Sequence, residues 1–433
     1  MYNGTMGGRN METCKKKLFL SFIFIFLIVT IFNLRVANAQ EKQEITVLLD
    51  GYPVTFDVPP VLKDGTTLVP FRAIAEALNI SVNWEVSTQT VTATDNKTKV
   101  KLQIGNKTAI KDNMPLTLRV SPQMINQRTL IPLRFFSEAF DCDVDWDKNT
   151  YTVKITSPPK EMFVTGFYAL GDSQTSSWTN LFGKSYPEYT SGNTGYFSSI
   201  AFGWYSLDNN GNLLTKSRTG WQRPDGWEKV LEVISQYKLK SEMVIHVTDG
   251  DKTISNLLSS PEAIEKAISS IVEEAKIYDS VNLDFEGLGL NEDKEQLLQT
   301  QQKFTEFVKL LKNRLDVSKS ITLTLHAPNS VYKGYDYKTL GEITDKIIIM
   351  AYDYGTKPEP EELVIQAIEQ ATEKVPKEKL LLGISIPNET LESFAVKIGL
   401  AKRFGLGGIA IWRLGLVQDE MWDVLKNSIT PRR

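Results

Sequence analysis

Beyond residue 160 the chain settles into one rhythm, in which short apolar runs rich in Ile, Val, Leu and Phe alternate with longer amphipathic stretches. Runs at 163–170, 197–205, 243–247, 281–286, 321–326, 347–352, 380–386 and 409–412 have the length and composition of strands. Helical periodicity at 226–237, 261–277, 294–315, 361–375 and 391–404 lies between most of them. Apolar strands separated by helices pair in parallel, because a parallel neighbour needs a crossover and the crossover covers a face of the sheet. Eight such strands over residues 161–433 predict an α/β fold closed as a (β/α)8 TIM barrel, with functional side chains at the strand C-terminal ends.

The rest of the chain divides differently. Lys15, Lys16 and Lys17 precede an apolar run at 18–34, and Ala37-Asn38-Ala39 supplies a small-x-small cleavage pattern, so residues 1–39 are expected to be a signal peptide or a membrane anchor. Export follows, to a secreted or envelope-associated location, with a mature chain starting near Gln40. The two cysteines are Cys14 and Cys142; with the first in the leader, no internal disulfide is expected. Residues 44–156 contain a duplication: Thr67-Leu68-Val69-Pro70-Phe71-Arg72 returns as Thr129-Leu130-Ile131-Pro132-Leu133-Arg134. The same spacing separates Glu76 from Glu138 and Trp84 from Trp146, so two copies stand in tandem without insertion. Each copy reads as a strand, a proline-initiated helix and two further strands, together a small α+β domain. Ser157-Pro158-Pro159-Lys160 is a short stiff linker to the barrel.

Chemistry concentrates in Asp279-Ser280-Val281-Asn282-Leu283-Asp284-Phe285-Glu286. In a strand, residues two apart share a face, so Asn282, Asp284 and Glu286 point together. Two carboxyls this close push one pKa up, which can keep a proton available for a leaving group. Glu286 ends the fourth run, Tyr352 and Asp353 end the sixth, and Trp412 ends the eighth, so three strands aim polar or aromatic groups at one rim. The histidines, His246 and His326, end the third and fifth runs and lack a third ligand, so no metal or cofactor is expected. With 49 basic against 52 acidic residues the formal charge is −3, against the basic excess of a nucleic-acid binder. The aromatic stretch at 178–196 and Trp221 are open to two readings, stacking on sugars or covering the barrel.

Two resemblances sharpen this. The repeated [TL]-[VI]-P-x-R-x-[IF]-x-E-x-[LF] pattern with its tryptophan resembles the family named after the N-terminal region of copper amine oxidases. Copper is not implied, because residues 44–156 contain no histidine; an accessory, wall-facing module is. Asp279-x-x-Asn282-x-Asp284-x-Glu286 resembles the D-x-x-D-x-D-x-E signature of glycoside hydrolase family 18, and Met350-Ala351-Tyr352-Asp353 resembles its M-x-Y-D strand. Trp412 looks like that family's last-strand tryptophan.

The second resemblance implies an enzyme, a retaining glycosidase of chitinase type acting on polymers that contain β-linked N-acetylglucosamine. Glu286 would be the general acid and base, Asp284 would orient the substrate acetamido group, and Tyr352 would donate to its oxygen. Met350, Asp353, Trp412, Asn282 and Tyr168 would complete the substrate-binding set. Asn282 stands where the family usually has aspartate, as in the branch resembling bacterial spore cortex-lytic enzymes, which points to peptidoglycan or cortex ahead of chitin. The competing expectation is a barrel that binds cell-wall carbohydrate without turnover. Only 26 or so residues separate Asp353 from the next strand run at 380, too few for the insertion that deepens many chitinase grooves.

Overall fold

The computed structural model describes residues 44–169, 176–217 and 220–433; the expected leader at 1–39 lies outside the described residues. Among those described, no helix is long and apolar enough to cross a membrane.

The eight runs form Lys160–Tyr168, Ser199–Leu207, Lys240–Thr248, Ser280–Glu286, Ser320–His326, Lys346–Met350, Leu380–Ser385 and Gly408–Trp412. Each strand pairs in parallel with the next, and the eighth pairs with the first at Phe163 and Gly408, so the sheet closes into a barrel. Two additions escape the sequence rhythm because they are too short to show a period. Leu213–Leu214 folds back antiparallel on the end of the second strand, and Ile429–Pro431 lies beside the start of the first.

Side-chain alternation divides the barrel strands between two cores. On the third strand Met243 and Ile245 face the surrounding helices, while Val244 joins Phe167, Ala201, Ile348, Leu381 and Ala410 in the lumen. Burying each large aliphatic side chain contributes about 1.5–3 kcal/mol. Helix ends are set by local chemistry: Ser260 accepts from the Ala263 amide, and Asp293 and Thr390 each close a capping box. Between the sixth and seventh strands stand only the helix Glu361–Thr372 and one 3₁₀ turn, as the short spacing requires.

The duplicated segment builds around its own symmetry. Helices Phe71–Ala77 and Leu133–Ala139 start directly after Pro70 and Pro132. Strands Thr66–Pro70 and Arg128–Pro132 pair antiparallel, and Val69 lies opposite Ile131, its own counterpart in the second copy. A pseudo-twofold axis therefore passes between the copies. Cys142 is buried here, and burial pushes its thiol up to about 12, so it stays protonated.

This module sits on the helix Leu391–Arg403. The Asp50 carboxylate accepts from the Ser157 amide at 2.8 Å and its hydroxyl at 2.6 Å, and lies 3.7 Å from the buried Lys402 ammonium. Asn79 donates its side-chain amide to the carbonyls of Lys402 and Arg403, at 3.1 and 3.0 Å. Gly399 allows the approach, because a Cβ there would come within 2.6 Å of the Asp50 Cβ. Lys160, first residue of the first strand, reaches the Lys402 carbonyl, which places the contact at the end of the barrel away from the strand C-termini.

Candidate active site

The lumen beneath the C-terminal rim holds a chain of buried polar groups. Glu242 on the third strand accepts from Ser199 at 2.6 Å and from the Asn282 side-chain amide at 3.1 Å. Thr324 donates to the Asn282 oxygen at 2.9 Å. Asn282 thus bridges an acceptor on one neighbour and a donor on the other, which an amide can do and an ionised carboxylate cannot. An aspartate there would set a second acid against Glu242. Asn282 is fully buried, so it is corrected from a substrate contact to a support beneath the site.

One step up the same face, Asp284 is buried and Glu286 stands at the strand end, half-exposed. Burial, then the adjacent Glu286 carboxylate and a hydrogen bond with it, raise Asp284 well above the ordinary carboxylate range. Burial alone would raise Glu286 too. The His246 contact, with nearby His326 and Asp284, outweighs it and holds Glu286 low. The two carboxyls of the pair are therefore pushed in opposite directions, Asp284 up and Glu286 down. The other Asp284 oxygen, Oδ1, has no hydrogen-bond partner.

That His246 would reach the acid is not among the expectations drawn from the sequence. Strands three and four set His246 opposite Asp284, and its Nε2 comes 3.5 Å from Glu286 Oε1. His246, Asp284 and Glu286 present ligand atoms within 4.8 Å of one another, a spacing that could also hold a metal ion, so the carboxyls supply the further ligands that the sequence did not suggest. The same spacing serves an acid–base set, with a carboxyl pushed up at Asp284 beside one held low at Glu286. His326 instead stacks on Tyr332 at 4.2 Å, with its imidazole pKa lowered by burial.

Tyr352 lies just past the sixth strand, its ring over Gly383, where a Cβ would meet it at 3.1 Å. Burial, followed by the charges of Asp284 and Glu286, raises its hydroxyl well above the ordinary phenol value, so it remains a donor. Met350 is buried at the strand end. Asp353 is exposed in a left-handed backbone conformation at φ 63°, with its amide on Glu359 at 2.8 Å and its carboxylate accepting from Asn388 at 2.9 Å. Trp412 meets the Phe167 ring edge-on at 5.4 Å.

Tyr168 is not brought to the site. It packs outside the barrel against Phe202 and Trp204, and its neighbour Phe167 is the lumen-facing residue of that strand. Trp221 takes a larger part than expected: it is stacked between His246 at 4.2 Å and Trp412 at 5.1 Å, over Gly203, where a Cβ would come within 2.3 Å of the indole. Trp412 and Trp221 form an aromatic wall beside the acid pair.

The sequence model of the glycosyl hydrolases family 18 matches residues 168–388, more than half of the 433-residue chain. The chain belongs to this family. A second model, the copper amine oxidase N-terminal domain, matches residues 48–155. Among curated proteins, the family 18 chain is 21% identical over 237 residues to the cortical fragment-lytic enzyme of Bacillus anthracis, covering 38% of this chain and 53% of that protein. It spans about half the length of the first curated relatives it matches. Among solved structures, the Bacillus cereus spore cortex-lytic enzyme SleL superposes with TM-score 0.51 at 17% identity, over 64% of this chain and 76% of that one. A chitinase from Chromobacterium violaceum superposes at 0.50 with 18% identity, over 61% and 98%. At these identities the structural likenesses speak for the fold.

The His246 contact carries a pH prediction. Without it burial would raise Glu286, so that carboxyl would take up its proton at higher pH. His246→Gln is therefore expected to move the acid limb of the kcat/KM profile to higher pH, whereas loss of packing alone would lower the whole profile without moving the limb.

Proposed function

We propose that this family 18 protein is an exported retaining glycosidase that cleaves polymers containing β-linked N-acetylglucosamine, with peptidoglycan or spore cortex ahead of chitin. The observation that carries the reading is the Asp284–Glu286 pair at the end of the fourth strand, with His246 3.5 Å from Glu286 and with Tyr352 and Trp412 at the ends of the sixth and eighth strands. Support for the substrate class comes from the name of a curated relative, the cortical fragment-lytic enzyme.

A sugar resting against Trp412 directs its 2-acetamido N–H toward Asp284 Oδ1, which lacks a partner in the protein. A donated hydrogen bond favours the charged form of that carboxyl, so its proton moves to Glu286. Binding thereby arms the acid. Glu286 then protonates the glycosidic oxygen as the acetamido oxygen, held by the Tyr352 hydroxyl, attacks the anomeric carbon to give an oxazolinium ion. The glycosidic bond breaks, and Glu286, now a carboxylate, takes a proton from the water that opens the ring. Two displacements at one carbon retain its configuration, and no protein nucleophile is needed.

The test incubates the full chain with peptidoglycan, cortex fragments and chitin oligomers, counting reducing ends and identifying the first anomer released. Release of the β anomer, fastest from cortex or peptidoglycan, is expected. An α product would sink the retaining mechanism. Tight binding without product from any polymer would favour the binding-only barrel, which the burial of one Trp412 face by Trp221 makes worth separating.

A further inference from the structure

We propose that the repeat module carries two quasi-equivalent grooves for an acidic, β-linked amino-sugar strand of the peptidoglycan class, distinct from the catalytic rim. The identity of the polymer rests on the function proposed above; the grooves themselves do not.

The grooves enclose about 540 and 460 Å³. Each is framed by the hairpin of one copy and the helix of the other, so the pseudo-twofold axis that places Val69 opposite Ile131 exchanges them. The first is lined by Arg134, Glu138 and Trp146, the second by Arg72, Glu76 and Trp84, and each residue occupies the matching place in its copy. These are the side chains that the repeated sequence pattern carries, and the two arginines and two glutamates are exposed.

Their chemistry suits a sugar polymer. An indole offers a flat apolar face to the C–H side of a pyranose, and an Arg–Glu pair offers donors and acceptors to its hydroxyl and acetamido groups. The first groove is preset: the Arg134 guanidinium donates to the Val144 carbonyl at 2.6 Å and to Glu138 at 3.2 Å, and Trp146 is braced edge-on by Tyr151 at 5.6 Å. Groups held in place before binding lose less entropy on it.

The two grooves differ in charge, and this selects the ligand. Arg119 lines the first, its guanidinium lying across Gly65, where a Cβ would come within 3.3 Å. Its counterpart in the second is Asp57, which is paired with Arg128 at 2.5 Å. The first groove therefore has a cation beyond its Arg134–Glu138 pair, suited to the carboxylates borne along a peptidoglycan strand, while the second is balanced. Because the module contacts the barrel at the end away from the rim, a strand held here is a different stretch of polymer from the one being cut. Two linked sites on one repeating polymer bind together more tightly than either alone.

The test uses the full chain carrying Glu286→Gln, so that no polymer is consumed, and measures sedimentation with purified peptidoglycan sacculi and with chitin. Trp146→Ala is expected to weaken sacculus binding about 10-fold, Trp84→Ala less, and the double variant to below either. Trp146→Phe should recover most of the loss, and Arg119→Gln should weaken binding to sacculi but not to chitin. A double variant with an unchanged urea midpoint that still sediments like its parent would overturn the grooves; equal binding of the parent to both polymers would overturn the acidic ligand. If an alanine variant unfolds, the exposed Arg119→Gln and the conservative Trp146→Phe decide the same question. Absence of hydrolysis by the unsubstituted chain would sink the catalytic reading and leave these binding results standing.

Discussion

Glu286→Gln is expected to lower turnover of the preferred polymer by about 10²- to 10⁴-fold, the usual effect of removing one general acid. The substitution keeps size and planarity, so the aromatic wall of Trp412 and Trp221 stays in place and KM should change little. On the proposed mechanism it removes the carboxyl that passes a proton to the leaving oxygen. The amide can still accept from His246, so the variant should fold. On that mechanism Asp284→Asn should act on the same step from the other side: its neutral amide oxygen accepts the acetamido N–H more weakly than a carboxylate does, and Glu286 loses its acidic partner. Because the two residues act as one unit, the double variant should be hardly slower than the worse single one. Reducing-end counts over a fixed time give all three values, and product from Glu286→Gln equal to that of the parent would remove Glu286 from the mechanism.

The sequence shows the barrel plainly because each strand is buried on both faces and each helix on one, and those patterns survive without knowledge of neighbours. It does not show which strand residues face the lumen. Tyr168 and Phe167 are adjacent and both buried, so nothing in an unbroken apolar run tells which phase is inward, and the choice of Tyr168 fell on the wrong one. Asn282 was visible as a departure, yet its reason is Glu242, set beside it only by the register between strands three and four. His246 reaching Glu286 depends on that same register. A weaker signal could have found both: Glu242, Val244 and His246 alternate along a run otherwise suited to a core, and a buried acid in such a run needs a partner. Gly399 carried a similar hint, since a glycine inside a helical pattern often marks the close approach of another backbone.

That approach leads to the second large effect, which concerns stability. Asp50→Ala is expected to destabilise the chain by about 3 kcal/mol, because it leaves the Lys402 ammonium buried without its counter-ion. Lys402 and Asp50 expose only 7% and 11% of their side chains, and burial lowers the Lys402 pKa although Asp50 pulls it up. The Ser157 amide and hydroxyl lose their acceptor in the same variant. Two further outcomes separate the charge from the hydrogen bonds. Asp50→Asn keeps an acceptor for Ser157 and should fall between parent and alanine. Adding Lys402→Met to Asp50→Ala should recover part of the loss, since an apolar pair does not strand a charge. Urea unfolding followed by tryptophan fluorescence and by circular dichroism gives the free energies. If Asp50→Ala stays within about 0.5 kcal/mol of the parent, the pair is solvated and the module is not held by it. Turnover of short soluble oligomers should be unchanged, because the pair lies at the barrel end away from the Asp284–Glu286 rim, whereas release from intact sacculi should fall if the module has to present its grooves in a fixed direction.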